Sequence, residues 1–300
     1  VSQKSFIDDL LVSRRFLLIT GKGGIGKTLL SCCLAKRAQL LGRRVLIVEQ
    51  SVVEQVGPLL GFAGVGHEET WAGSLGVANF TPGGNFRDFI TKHLMKSSLL
   101  DVIFSNKILH SFFTSIPGFS ELMLLGRIYY ALNESPRQRP DLVIMDSYAS
   151  GHFMSLMTTP NAVIQSGLAG PILHLTTKVR DWLADVNECG TIYVGVPEEL
   201  VVSETLEFLP KLIRTSPVAL SAVAMNRCLP VVKVTDLASP ASVFYAEKLE
   251  RQAVALKRFY DGIGSDPLLS GVSVVLVPEL GYVPEPLSDA AVYALCGGNP

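Results

Sequence analysis

"FLLITGKGGIGKTLLSCCLAKRAQLLGRRVLIVEQS", Phe16 to Ser51, decides the fold. An apolar run (Phe16–Thr20) leads into a glycine-rich loop, a helical pattern follows, and a second apolar run (Val45–Val48) closes the unit. The loop, Gly21-Lys22-Gly23-Gly24-Ile25-Gly26-Lys27-Thr28, matches G-x-x-x-x-G-K-[ST]. Each residue type has a task there. The glycines let backbone N–H groups turn inward around a phosphate. The helix beginning near Lys27 adds the positive end of its dipole. Lys27 is placed to reach the β- and γ-phosphates, and the Thr28 hydroxyl to bind Mg²⁺. The loop lies between a strand and a helix, the context the motif requires.

Outward from this unit, short apolar runs alternate with helical patterns: Leu142–Met145, Ile192–Val196, Ala222–Met225 and Val272–Val277. Nearly every residue in each is apolar, as strands covered on both faces need. The expected fold is α/β, a doubly wound, mostly parallel sheet. The whole of 1–300 reads as one P-loop domain with a helical insertion at about 80–135. In that insertion Phe86, Phe89, Ile90 and Leu94 recur at helical spacing, as do Leu99, Leu100, Ile103 and Phe104. Pro117-Gly118 breaks one helix before the next. The insertion is expected to form a helix layer on the sheet or on a partner, or an apolar groove for a hydrophobic protein client.

Composition narrows the function classes. With 26 basic and 27 acidic residues the net charge is −1, and no long run of one sign occurs. Nothing there favours nucleic acid or an acidic membrane surface. No apolar run approaches the ~20 residues of a membrane span. Asp8 and Asp9 near the start, with no small-residue cleavage site, do not suggest a secretory leader. The five cysteines include no C-x-x-C pair. They are expected to be reduced, buried thiols of a cytoplasmic protein.

"DLVIMDSYASGH", Asp141–His152, ends an apolar strand in Asp146, a carboxylate beside the phosphate loop. This segment resembles the D-T-A-P-T-G-H switch of the ArsA-type ATPases. That family includes the arsenite-pump ATPase and the eukaryotic ATPase that targets tail-anchored membrane proteins, and more distantly MinD and ParA. Four further stretches resemble it in the family's order. "SIPGFSEL" (Ser115–Leu122) is similar to P-G-x-x-E, and "VGVPEELVVSETLEFL" (Val194–Leu209) to V-x-x-P-E…E-T. "AMNRCLP" (Ala224–Pro230) is similar to N-R-x-L-P, and "LVPELG" (Leu276–Gly281) to the late V-P-L turn.

The resemblance implies roles. Asp146 would hold Mg²⁺ through water, Asn226 would read the adenine, and Pro278 would cover its edge. Lys22, just after the first glycine, marks the deviant form of the loop. In that class the early lysine reaches across a dimer interface to the partner's nucleotide. The expectation is an ATP- and Mg²⁺-binding dimer, either a homodimer or a heterodimer with an ArsA-like paralogue.

Departures from the pattern limit what carries over. The family places S-T-D-P-A-H after this strand, its aspartate orienting the attacking water. Here the chain reads Glu49-Gln50-Ser51-Val52-Val53-Glu54, with Ser51 at the aspartate's place. A hydroxyl can bond a water but cannot take its proton at neutral pH. Losing a positioned base costs ~10²–10⁴ in rate. Hydrolysis is therefore expected to be slow or absent unless Glu49 or Glu54 substitutes. Tyr148-Ala149 stand where A-P is common. There is no cysteine cluster for metalloid, no C-x-x-C zinc site and no cluster-ligating pair. The leading expectation is an ATP-dependent dimeric switch. The alternatives are a degenerate subunit lending Lys22 to an active paralogue, and a MinD- or ParA-like positioning switch. The last is disfavoured by a tail without Lys or Arg, "PLSDAAVYALCGGNP".

Overall fold

The computed structural model describes residues 3–93, 118–133, 139–167, 171–231 and 239–296. Its strands are β1 (Phe16–Gly21), β2 (Val45–Glu49), β3 (Thr70–Ala72), β4 (Leu75–Asn79), β5 (Leu142–Ala149), β6 (Cys189–Gly195), β7 (Leu220–Cys228) and β8 (Ser273–Pro278). They form one eight-stranded sheet in the order β3-β4-β2-β5-β1-β6-β7-β8. All neighbours pair in parallel except β3 with β4. The six apolar runs of the sequence are six of these strands, and the α/β fold of a P-loop protein is present.

Strand alternation divides the core into two layers. Leu17, Ile19, Ile47, Ile144 and Val194 point to one face. There they meet α1 (Gln3–Ser13), α2 (Lys27–Leu40), α3 (Val56–Leu60) and α10 (Asp289–Cys296). Phe16, Leu18, Val48, Met145 and Met225 point to the other. That face is covered by α5 (Phe119–Asn133), α6 (Ser150–Gln165), α7 (Pro171–Leu183), α8 (Glu199–Thr215) and α9 (Pro240–Ser265). Burying strands on both sides is what selected their continuous apolar runs.

Two strands escape the apolar pattern. β4 is short and contains Gly76, and β3 lies at the sheet edge. Gly76 is needed because Trp71 of β3 lies over it; a Cβ there would sit 2.6 Å from the indole. The Arg44 guanidinium stacks on the outside of the same indole at 3.8 Å.

Between β4 and β5 the chain carries α4 (Pro82–His93) and α5. Phe86, Phe89 and Ile90 fall on α4. Leu94, Leu99, Leu100, Ile103, Phe104 and Pro117 lie outside the described residues. Phe119, Leu122, Leu125 and Ile128 of α5 are buried against the sheet layer, as a packing helix requires. All five cysteines are buried and free, and burial pushes the Cys33 and Cys189 thiols far above their ordinary value. Among the described residues no helix is long and apolar enough to cross a membrane.

Candidate functional site

The carboxyl ends of β2, β5 and β1 lie side by side, and the loop after β1 rises over them. β1 ends in Gly21 at φ +149°, where a Cβ would lie 2.3 Å from the Val194 carbonyl oxygen on β6. Gly26, at φ +89°, caps α2, and a Cβ there would meet the Asn226 amide nitrogen at 2.5 Å. At Gly23 and Gly24 a Cβ would meet nothing within 4 Å, so the loop's open side is the cradle. The loop is held from behind. Ile25 is buried, the Asn226 Nδ2 donates to the Ile25 carbonyl at 2.8 Å, and Arg227 donates to the Gly24 carbonyl at 2.8 Å. Arg227 reaches it from a backbone at φ +56°, unusual for a residue with a side chain. Lys27 folds back, its Nζ donating to the Lys22 carbonyl at 2.9 Å. Burial lowers the Lys27 pKa, and the nearby Asp146 charge opposes that shift.

Asp146 stands beside Ile19 of β1 and beside Glu49 of β2 in strand register. The Thr28 hydroxyl donates to its Oδ2 at 2.7 Å and the Ser31 hydroxyl to its Oδ1 at 3.0 Å. Burial raises the Asp146 pKa despite these hydroxyls and Lys27, which pull it down. A hydroxyl and a carboxylate converging on one side of a phosphate cradle are an all-oxygen donor set. That fits Mg²⁺, which keeps several waters and takes few protein ligands beside phosphate oxygens. Thr28 and Asp146 are the residues that would hold it.

The end of β2 is built differently. Glu49 is 2 % exposed. The backbone N–H groups of Gln55 and Val56, entering α3, point to its carboxylate at 3.2 and 3.4 Å. The Ser51 hydroxyl lies 3.0 Å from Glu49 Oε2 and 2.6 Å from the Val53 carbonyl. Its single hydrogen is therefore spent within the loop. Burial raises the Glu49 pKa, and these bonds only partly offset it. Asn79 clamps the segment, accepting from the Ser51 N–H at 3.2 Å and donating to the Ser51 carbonyl at 2.9 Å. Glu54 is turned away, accepting from the Val65 N–H at 3.2 Å.

These ends enclose a cavity of about 470 Å³ lined by Gly24, Gly26, Lys27 and Thr28, by Glu49–Ser51 and Gln55, and by Asp146–Tyr148 and Arg227. Of the residues expected from sequence, Gly24, Gly26, Lys27, Thr28, Ser51 and Asp146 meet here. Gly21, Gly23 and Ile25 complete the loop, and Asn226 sits behind it. Lys22 leaves the cavity, its Nζ 2.6 Å from Glu204 on α8 with both side chains 43 % exposed. Pro278 ends β8 beside Cys228 and does not line the cavity. A second cavity of about 710 Å³ shares Arg227 as a wall and extends past Pro197, Leu229 and Glu279.

Sequence reasoning passed over Ser31, Gln55 and Arg227. Ser31 lies four residues after Lys27, so helical spacing could have placed it over the carboxylate. Gln55, whose Oε1 is 3.4 Å from the Thr28 hydroxyl, gave no local signal, because its position depends on the path of the loop.

The family described as anion-transporting ATPase, ArsA_ATPase, matches residues 14–169, from β1 through both carboxylates to the end of α6. ATPase BagA of Mycobacterium tuberculosis is 26 % identical over 242 residues, covering 76 % of this chain and 69 % of its own length. ATPase get3 of Aspergillus terreus is 22 % identical over 181 residues, covering 56 % of this chain and 52 % of its own. The matched span holds the phosphate loop, both strand-end acids and more than half the chain, so this protein belongs to the ArsA-type ATPase family and is a nucleotide-binding P-loop protein.

Proposed function

We propose that this chain is a Mg-ATP-binding switch that works as a dimer and, alone, turns over ATP slowly. The observation that carries this is the contrast inside one cavity. Lys27, Thr28 and Asp146 are in place for phosphates and a cation, while Ser51 replaces the acid and its hydroxyl is spent on Glu49 and Val53. Bound Mg²⁺ would neutralise phosphate charge. The loop N–H groups and Lys27 bind the phosphates, and Thr28 and Asp146 orient the cation.

In this reading the phosphates lie in the first cavity and the nucleoside extends past Arg227 toward the second, with Asn226 and Pro278 as the base contacts. Residues 1–300 act as one P-loop unit with the region of about 80–135 inserted. Lys22 exchanges Glu204 for the partner's nucleotide when two subunits close, the kind of γ-phosphate-dependent closure that drives a switch. The client is a protein with an apolar segment. The buried thiols fit a reducing compartment, the cytoplasm.

The spent Ser51 hydroxyl also favours a second reading, a degenerate subunit that pairs with an active paralogue. The deciding experiment measures ATP hydrolysis by the native protein and by Ser51→Asp, with Lys27→Ala as blank. The native protein should match the blank, and Ser51→Asp should exceed it by ~10-fold or more. Native turnover well above the blank removes the degenerate reading and leaves a cycling ATPase.

A further inference from the structure

The two edges of the sheet are unlike. At one, β3 has only three residues, and the Arg44 guanidinium stacks on its Trp71. At the other, β8 reads Ser-Val-Val-Leu-Val-Pro, with no charge, no glycine and no proline before its last position. A sheet edge is a row of backbone donors and acceptors, which proteins commonly blunt with charges, bulges or shortness. β8 carries no such device. Its exposure agrees. β6, inside the sheet, is buried at every residue, whereas Val274, Leu276 and Pro278 of β8 are half-buried.

The bonds to β7 show which groups of β8 point outward. Along a strand, alternate residues turn their N–H and C=O to one neighbour and then to the other. The Glu279 N–H donates to the Cys228 carbonyl of β7 at 2.9 Å, and the Val277 N–H is directed at the Cys228 sulfur. The odd-numbered residues of β8 therefore face β7, and Val274 and Leu276 turn both N–H and C=O out of the sheet. No described residue outside the sheet bonds to these four groups. The next outward position is Pro278, which has no N–H to leave unpaired; within a sheet proline is confined to such places. Before the strand, the Val272 N–H is already given to the Leu269 carbonyl at 2.9 Å. The open edge is thus bounded at both ends.

We infer that β8 is the docking edge for a second copy of this chain, paired antiparallel about Val275, so that two sheets continue into one. Self-complementarity names the occupant. In this register the Val274 N–H donates to the Leu276 carbonyl of the other copy, and the Leu276 N–H to its Val274 carbonyl. The two-fold axis repeats both bonds, so every outward group on both chains is paired. A register centred on Val274 meets the Val272 N–H already in use, and one centred on Leu276 meets Pro278; either leaves a carbonyl unpaired on each chain. The flanks agree. Antiparallel pairing sets the start of one strand beside the end of the other. Leu268, 40 % exposed, precedes β8, and Tyr282, 79 % exposed, follows it, so the pairing brings these apolar side chains together across the seam. Glu279 comes beside Gly271, and no like charges oppose each other there. This contact is separate from the nucleotide-driven closure proposed above, since β8 lies three strands from β1 and needs no phosphate.

The test is sedimentation of the full chain without nucleotide, over a ~100-fold range of concentration. The native protein should dimerise reversibly. Val274→Pro deletes one outward N–H and leaves the bonds to β7 intact. Tyr282→Lys sets a hydrated charge on the seam. Each should weaken dimerisation by ~10-fold or more. Tyr282 is so exposed that its variant folds whether or not the proline variant does. Val275→Cys sets two thiols at the two-fold axis. On oxidation it should form an interchain disulfide, which the native protein, with its thiols buried, does not. A native protein that stays monomeric throughout overturns the inference, whether its edge is bare or taken by another segment. So does a dimer that the variants leave unchanged or that Val275→Cys does not trap. Association that appears only with Mg-ATP would uphold the switch and overturn this edge. A nucleotide-free dimer weakened by the variants, with no further change on adding Mg-ATP, would uphold the edge and overturn the switch.

Discussion

The ends of β1 and β2 lie on either side of the end of β5, and they are made by opposite means. After β1 the phosphate loop is almost wholly backbone. Its shape follows from Gly21 and Gly26 in conformations closed to other residues and from carbonyls held by Asn226 and Arg227. After β2 the chain is ordered by side chains, with one buried carboxylate, Glu49, collecting the Ser51 hydroxyl and the first N–H groups of α3. A backbone cradle tolerates almost no change at Gly21 or Gly26, where a Cβ would meet another atom within 2.5 Å. A side-chain knot can be retied by substituting a residue.

The sharpest way to break that contrast is Gly21→Ala. The added methyl would meet the Val194 carbonyl, a backbone atom 2.3 Å away, from a φ of +149°. Strain and overlap together should cost about 3 kcal/mol or more. Urea denaturation followed by circular dichroism measures it. A loss under about 1 kcal/mol would mean that the loop can shift and that its rigidity does not come from its backbone.

Glu49→Gln probes the other end and should act in the opposite direction. Burial already favours the uncharged form of Glu49. A glutamine could accept from the Gln55 and Val56 N–H groups through its oxygen and donate to the Ser51 hydroxyl, which would still donate to Val53. Removing an unpaired buried charge while keeping these bonds should stabilise the nucleotide-free protein by about 1 kcal/mol at neutral pH. The pH dependence has a fixed sign. The folded-state pKa lies above the unfolded one, so the folded protein keeps the proton longer and the native protein gains stability as pH falls through that interval. The advantage of the variant should therefore shrink as pH falls through the raised Glu49 pKa, above the ordinary glutamate range. A destabilised Glu49→Gln would show that the charge itself holds the α3 entrance.

What the sequence disclosed divides along the same line. β1, β2 and β5–β8 were legible because strands covered on two faces must be apolar throughout. β3 and β4 were not, since Gly76 owes its place to Trp71 lying across it. The phosphate loop could be read outright, because its backbone conformation demands particular residue types at fixed spacing. Ser51, where the resemblance implies an aspartate, was visible as well. Its consequence was not, because the partners of Glu49 come from a loop that leaves the strand and returns. Asn226 lies 201 residues from the Ile25 carbonyl it holds, a bond no local pattern announces.

The smallest effect concerns Lys22, the loop residue whose side chain leaves the backbone cradle. Its bond to Glu204 joins two groups that are each 43 % exposed, so screening leaves it worth little. Glu204→Gln should change stability by no more than about 0.5 kcal/mol. Near-neutrality is the informative result, since a contact this weak can be exchanged at little cost when a second subunit offers phosphate oxygens. The same denaturation series measures it, and sedimentation with and without Mg-ATP shows whether association of the variant has changed. Should the substitution cost 2 kcal/mol or more, Lys22 would be part of the fold like Gly21, and a role for it in a partner's site would lose its physical basis.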